Sequence, residues 1–227
     1  MTHWLYLALN LGSISIPLIY SFEKKMYFIK YWKKILLSST IVAILFLIWD
    51  AIFTAKGIWG FNPDYYLGFK ILKMPIEEWL FFLCIPYASI FIHYALKHFK
   101  PKLILSIFWV KFISVILSFL SVYLIVSKFQ KAYTLIDFSV FLITILLGLL
   151  FGIKILQRFF IAFLLILIPF FIVNGILTGS FIEAPVVWYN NEENLGIRLF
   201  TIPVEDIAYA FSMLFLNILI FEKLKTR

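Results

Sequence analysis

Two stretches decide how this chain folds: FNPDYYLGFKILKMPIEEWLFF at 61–82 and YNNEENLGIRLFTIPVEDIAYA at 189–210. A constant offset of 128 residues pairs Asn62 with Asn190, Gly68 with Gly196, and Lys70 with Arg198. The same offset pairs Pro75 with Pro203, Glu77 with Glu205, and Glu78 with Asp206. Six such pairs without a gap mark an internal duplication. Each copy closes on a proline, one apolar residue and two adjacent acids, and each then runs into a long apolar segment.

Outward from these copies the chain is apolar almost throughout. Of its 227 residues 63% are hydrophobic, 20% aromatic and only 14% charged, with a mean hydropathy of +1.01. Soluble domains have about half their residues apolar and about a quarter charged, and disordered chains are poorer still in apolar residues. The solvent for most of this chain is lipid. Seven apolar runs answer to spans, at 4–22, 35–54, 76–96, 103–127, 134–153, 157–178 and 203–221. The stretch 134–178 must fold in two, because one helix of that length would reach about 67 Å, twice a bilayer. The turn falls at GIKILQR, 152–158. The first run has no basic leader and no small-residue cleavage site, and reads as a retained span rather than a signal peptide.

Lysine and arginine set the orientation. With the C-terminus inside, the inner side collects Lys24, Lys25, Lys30, Lys33, Lys34, Lys97, Lys100, Lys102, Lys154, Arg158, Lys223, Lys225 and Arg227. The outer side keeps Lys56, Lys70, Lys73, Lys128, Lys131 and Arg198. The positive-inside rule therefore places the N-terminus out and the C-terminus in. The expected fold is an all-α membrane protein of seven transmembrane helices, a 3+1+3 parallel tandem repeat. Its first repeat covers 1–98, a linker span 99–130 and the second repeat 131–227. The expected location is the cell (inner) membrane, multi-pass. The net charge of +8 is explained by lysines flanking spans, so no nucleic-acid partner is expected.

In this arrangement the duplicated loops lie on the outer side and can close over one cavity between the halves. Proline and acids at a helix start suit the helix dipole by themselves. Two copies of paired acids at the lip of an apolar span say more, since acids at membrane depth are costly and mark functional paths. A desolvated carboxyl group favours its protonated form and can act as a general acid. Adjacent helical residues point about 100° apart, so one acid of each pair faces the cavity. Glu77 and Glu205, identical as well as equivalent, are the expected cavity acids, with Glu78 and Asp206 beside them. Trp49, Trp59, Phe61, Tyr65, Tyr66, Trp188 and Tyr189 are either an interfacial aromatic belt or ring faces that steady a cationic substrate. Asp50, Asn62, Asn174 and Asn190 either hydrogen-bond loop backbone or contact substrate.

Other chemistries lack their residues. There is no dinucleotide fingerprint, P-loop or HExxH, and no lysine stands in the middle of the last span for a retinal Schiff base. Cys84 is the single cysteine, and His3, His93 and His98 form no metal cluster, so no metal or cofactor is expected. Carboxylic acids and ring faces in an apolar cavity point to acid-initiated carbocation chemistry on a hydrophobic substrate.

At these residues the chain resembles the membrane-embedded lycopene cyclase-domain family, known as two small subunits or a fused tandem. WDAIFTAKGIWGFNPDYYLGFKILKMPIEEWLFF (49–82) is similar to the first domain's motif region. NGILTGSFIEAPVVWYNNEENLGIRLFTIPVEDIAYAFSMLFLN (174–217) is similar to the second's. The resemblance implies a lycopene β-cyclase-type isomerase that takes lycopene or a related carotenoid from the bilayer, with membrane lipid around it. It implies motif acids at Glu77 and Glu205, with Glu78 and Asp206 adjacent. The copies depart from each other at Trp49-Asp50, where the second has Asn174-Gly175. Fifty-carbon or monocyclic carotenoids are alternative substrates, and the sequence leaves a homo-oligomer open. From another class, the sugar-carrying SWEET transporters share the 3+1+3 plan, but their Pro-Gln loops have no counterpart here.

Overall fold

The computed structural model describes residues 3–225. Arg227, counted above with the inner cations, lies outside the described residues, as do positions 1–2 and 226 at the ends of the two repeats. Seven helices carry the fold: α1 (Leu5–Tyr20), α2 (Trp32–Lys56), α3 (Ile76–Phe99), α4 (Ile107–Ser127), α5 (Ala132–Phe151), α6 (Ile153–Leu177) and α7 (Glu205–Lys225). Six of them, α2 to α7, are long and apolar enough to cross a membrane.

α1 departs from the expected full span. Its 16 residues make about 24 Å of helix, short of a hydrocarbon core of about 30 Å. The chain turns back after it, and Met26 and Phe28 of the following segment are buried. Phe28 is fully buried and meets the rings of Tyr87, Phe91, Tyr94 and Phe221 at 5.1–6.4 Å. α5 and α6 are separated by Gly152 alone. A Cβ there would sit 2.8 Å from Leu219, and one at Gly148 would sit 2.7 Å from Leu156, so both glycines let this hairpin close against α7.

α7 is the most buried helix and α4 the least. Phe211 of α7 stands among Phe141, Phe159, Phe160, Phe163 and Phe215 with ring centroids 4.9–6.1 Å apart. Around this core α7 packs on α5 of its own half and on α2 and α3 of the other, so the halves share one interior. The outward faces are apolar too, with Ile44, Ile48, Phe119, Val126, Leu150 and Leu164 all exposed, as suits contact with lipid rather than water. One end of the bundle gathers the basic residues. Lys97 of α3 pairs with Glu222 of α7 at 2.9 Å, and Lys34 of α2 donates to the Leu224 carbonyl at 2.7 Å.

The other end carries the duplicated loops, folded as three two-stranded pieces. The hairpin β2–β3 (Lys70–Ile71, Met74–Pro75) and the hairpin β5–β6 (Arg198–Leu199, Ile202–Pro203) occupy matching positions, with Lys70 opposite Pro75 and Arg198 opposite Pro203. β1 (Trp59–Phe61) of the first loop pairs antiparallel with β4 (Val187–Tyr189) of the second, setting Gly60 against Trp188. This pair ties the halves together across the top. The offset of 128 recurs in the loop hydrogen bonds. Asn62 and Asn190 each accept from the backbone two residues on, at 3.1 and 3.0 Å. Gly68 and Gly196 both adopt positive φ, +95° and +71°, with open space where a Cβ would lie. The pair is required by backbone conformation, not by crowding.

Candidate functional site

Beneath the β1–β4 pair lies a cavity of about 620 Å³ walled by α1, α3, α6 and α7, with Asp50 of α2 at its edge. Its lining is mostly apolar, with Ser13, Ser89, Asn174 and Thr178 as further polar residues, and near the top three carboxyl groups, Asp50, Glu78 and Asp206, meet four phenols, Tyr6, Tyr133, Tyr189 and Tyr209. Among the described residues no lysine, arginine or histidine lines it.

Each acid has its own phenol. Tyr6 Oη of α1 donates to Glu78 Oε2. Tyr133 Oη of α5 donates to Asp206 Oδ1 at 2.6 Å, and Tyr189 Oη of β4 donates to Oδ2 at 3.0 Å. Tyr209 Oη of α7 donates to Asp50 at 3.2 Å. Burial, with the Asp206 carboxyl beside it, pushes the Tyr189 phenol well above its usual range, so that hydroxyl stays a donor. Asp206 thus has both oxygens engaged as acceptors. Glu78 has one oxygen engaged and the other open to the cavity, and it keeps accessible surface there.

The other acid of each pair does not reach the cavity, which corrects the expectation for Glu77 and Glu205. Both are fully buried and turned toward their own loops. Glu77 Oε1 accepts the Leu67 N–H at 2.8 Å, and Glu205 Oε1 accepts the Leu195 N–H at 2.7 Å, again 128 residues apart. Thr134 Oγ1 adds a second bond to Glu205 at 2.7 Å. The reason is helical phase: the loop docks on one side of the first turn, so its clamp stands about 100° from the residue that meets the cavity. Glu205→Ala leaves the Leu195 N–H without its acceptor, an expected loss of about 1–3 kcal/mol. A lower unfolding midpoint in detergent checks this, with Glu205→Gln, which keeps an acceptor oxygen, close to wild type.

The other expected site residues divide in the same way. Trp59, Phe61, Asn174 and Tyr189 line the cavity beside the acids. Trp49 stands behind them, its ring 5.1 Å from Tyr209 and 6.2 Å from Trp59. Asn62 and Asn190 cap loop turns, and Trp188 packs outside over Gly60, 42% exposed. Of the matched cations, Arg198 donates to the Thr201 carbonyl at 2.6 Å and Lys70 lies over the Tyr66 ring at 5.3 Å, so both brace loops.

Tyr6, Tyr133 and Tyr209 were not singled out from sequence. Their signal is present but offset. YLALN at 6–10 and YTLID at 133–137 place a tyrosine and a polar residue one helical turn apart in the first helix of each half, shifted by 127 rather than 128. Asn10 Nδ2 donates to the Glu77 carbonyl at 2.8 Å, whereas its counterpart Asp137 is buried without a hydrogen-bond partner. Tyr209 matches Phe81, so the phenol that reaches Asp50 belongs to one half only. Among the described residues no group of three histidine, cysteine or acidic side chains is gathered to hold a metal ion.

A family model described as lycopene cyclase matches residues 3–96 and 130–224, one segment on each half. No curated protein and no solved structure matches the chain.

Proposed function

The chain belongs to the lycopene cyclase family, and from that premise we propose that it closes β-ionone rings on the acyclic ends of lycopene, in the cell membrane, with its loop end outside. The observation that carries this is the largely apolar cavity whose ionisable lining groups, among the described residues, are carboxyls and phenols gathered near its top. Such a site can give and take a proton while keeping water from a cation.

Glu78 donates the proton, because its second oxygen is open to the cavity. The proton adds to the terminal carbon–carbon double bond of the acyclic end and leaves a tertiary cation. The electron pair of the next suitably placed double bond attacks that cation and closes a six-membered ring, moving the positive charge into the ring. Loss of a proton from the neighbouring ring carbon forms the new double bond. Asp206 takes up that proton, with Asp50 as the further carboxyl on the wall. One proton enters and one leaves, so substrate and product are isomers and no electron carrier is used. The ring faces of Trp59, Phe61 and Tyr189 face the same space and attract the transient cation, each by about 0.5–2 kcal/mol. Glu77 and Glu205 act at one remove, as positioning residues that hold the loops over the acids.

Expression in a bacterium that makes lycopene tests the reading. The expected pigment is β-carotene, with monocyclic carotenoid as an intermediate. Unchanged lycopene, with the protein present in the membrane, overturns it. The ring double bond in the product separates β from ε or γ ends, and a strain making fifty-carbon carotenoids tests the longer substrate.

A further inference from the structure

The cavity is open on one side. On α1, Ala8, Gly12 and Ile16 all line it and are all exposed on the outside of the protein. On α6, Pro169 and Ile172 do the same. A residue that lines an inner space and is also exposed stands at a rim. The α1 residues are spaced four apart and the α6 residues three apart, so each set forms one stripe along its helix. A Cβ built on Gly12 meets nothing within 4 Å, so the rim is a gap there rather than a seam. α1 leans mainly on α3 and touches α6 little.

This gap faces lipid. α1 has no charged residue between Leu5 and Tyr20, and Ile16 and Ile172 are 64% and 61% exposed among apolar neighbours. The watery end offers no such passage, because β1 and β4 cross above the acids and Trp59, Phe61, Val187 and Tyr189 form the roof. Each rim also has a proline inside its helix, Pro17 and Pro169, both on the cavity wall. Proline removes a helical hydrogen bond at each, which leaves the two rims easier to bend apart.

We propose that the gap between α1 and α6 is a side doorway through which a long apolar polyene slides from the bilayer, one end first, to the carboxyls at the top. The proposal rests on the cyclase reading for the identity of the polyene. Cavities of about 300–1,000 Å³ enclose drug-sized molecules, and at about 620 Å³ this one suits one end of a forty-carbon chain. The rest of the molecule lies in the doorway and the lipid beyond it.

The test uses the whole chain in vesicles loaded with lycopene, reading pigment retained on the re-purified protein and the initial rate of ring formation. Gly12→Trp sets an indole at the gap, where a Cβ meets nothing within 4 Å. It is expected to cut uptake and rate about tenfold or more, with an unchanged unfolding midpoint. Leu11→Trp, on the exposed face beside the rim, is expected to stay within about twofold of wild type. In a Cys84→Ser background, Gly12→Cys with Ile172→Cys, bridged by a disulfide-containing cross-linker, is expected to stop uptake until a reductant opens the bridge. Wild-type uptake and rate in both Gly12→Trp and the bridged protein overturn the doorway. Wild type that takes up lycopene without forming rings overturns the cyclase reading, and the uptake comparison still decides the doorway. Wild type that takes up no lycopene overturns both.

Discussion

Glu78→Gln is expected to abolish ring formation while the protein accumulates in the membrane at the wild-type level. Glutamine keeps an oxygen to accept from Tyr6, so the contact between α1 and α3 survives the change. The substitution removes the transferable proton on the oxygen that faces the cavity, and a positioned general acid contributes roughly a hundred- to ten-thousand-fold to rate. The informative partner is Glu77→Gln, one residue away. Its remaining oxygen still accepts the Leu67 N–H, so it is expected to stay within several-fold of wild type. Pigment analysis in lycopene-making cells and initial rates in vesicles read both. Full activity in Glu78→Gln together with loss in Glu77→Gln would move the proton to the other acid.

Asp206→Asn is expected to lower ring formation by a similar factor, for a different reason. Its two oxygens accept from Tyr133 and Tyr189 at 2.6 and 3.0 Å, which shapes it as a proton acceptor and as the negative partner of a cation. Asparagine retains one acceptor oxygen and presents an amide N–H₂ to the other phenol, so it neither balances the cation nor takes its proton. Tyr133→Phe, which removes the shorter bond and leaves the ring, is expected to fall between wild type and Asp206→Asn. If Asp206→Asn forms rings at the wild-type rate, the proton leaves through Asp50, and Asp50→Asn becomes the variant that stops the reaction.

The contrast between adjacent acids shows how far a sequence reaches. The pairs at 77–78 and 205–206 were legible as the place to look, because duplication and lip-of-span acids are visible in one dimension. Shared identity favoured Glu77 and Glu205, and it is a structural identity. Both clamp the same backbone N–H in their loops, a task that is the same in each half. The cavity residues differ between halves, Glu78 against Asp206 and Phe81 against Tyr209, so a search for identical pairs passes over them. The phenols stayed hidden for a related reason. Tyr6 and Tyr133 follow an offset of 127, and a search held to 128 passes them by.

By itself the sequence determined that this chain lives in lipid, that it is built from two related halves, and that its acids cluster at one end. These follow from hydropathy, cation placement and repetition, which are properties of runs of residues and need no packing. The tertiary structure alone decided that α1 is shorter than a full span, that the two loops pair as β1 and β4, and that Glu78 and Asp206 face a shared cavity open between α1 and α6. Those outcomes depend on helix phase and on which helices touch, and a rotation of about 100° between neighbouring residues separates an acid that clamps a loop from one that faces the cavity.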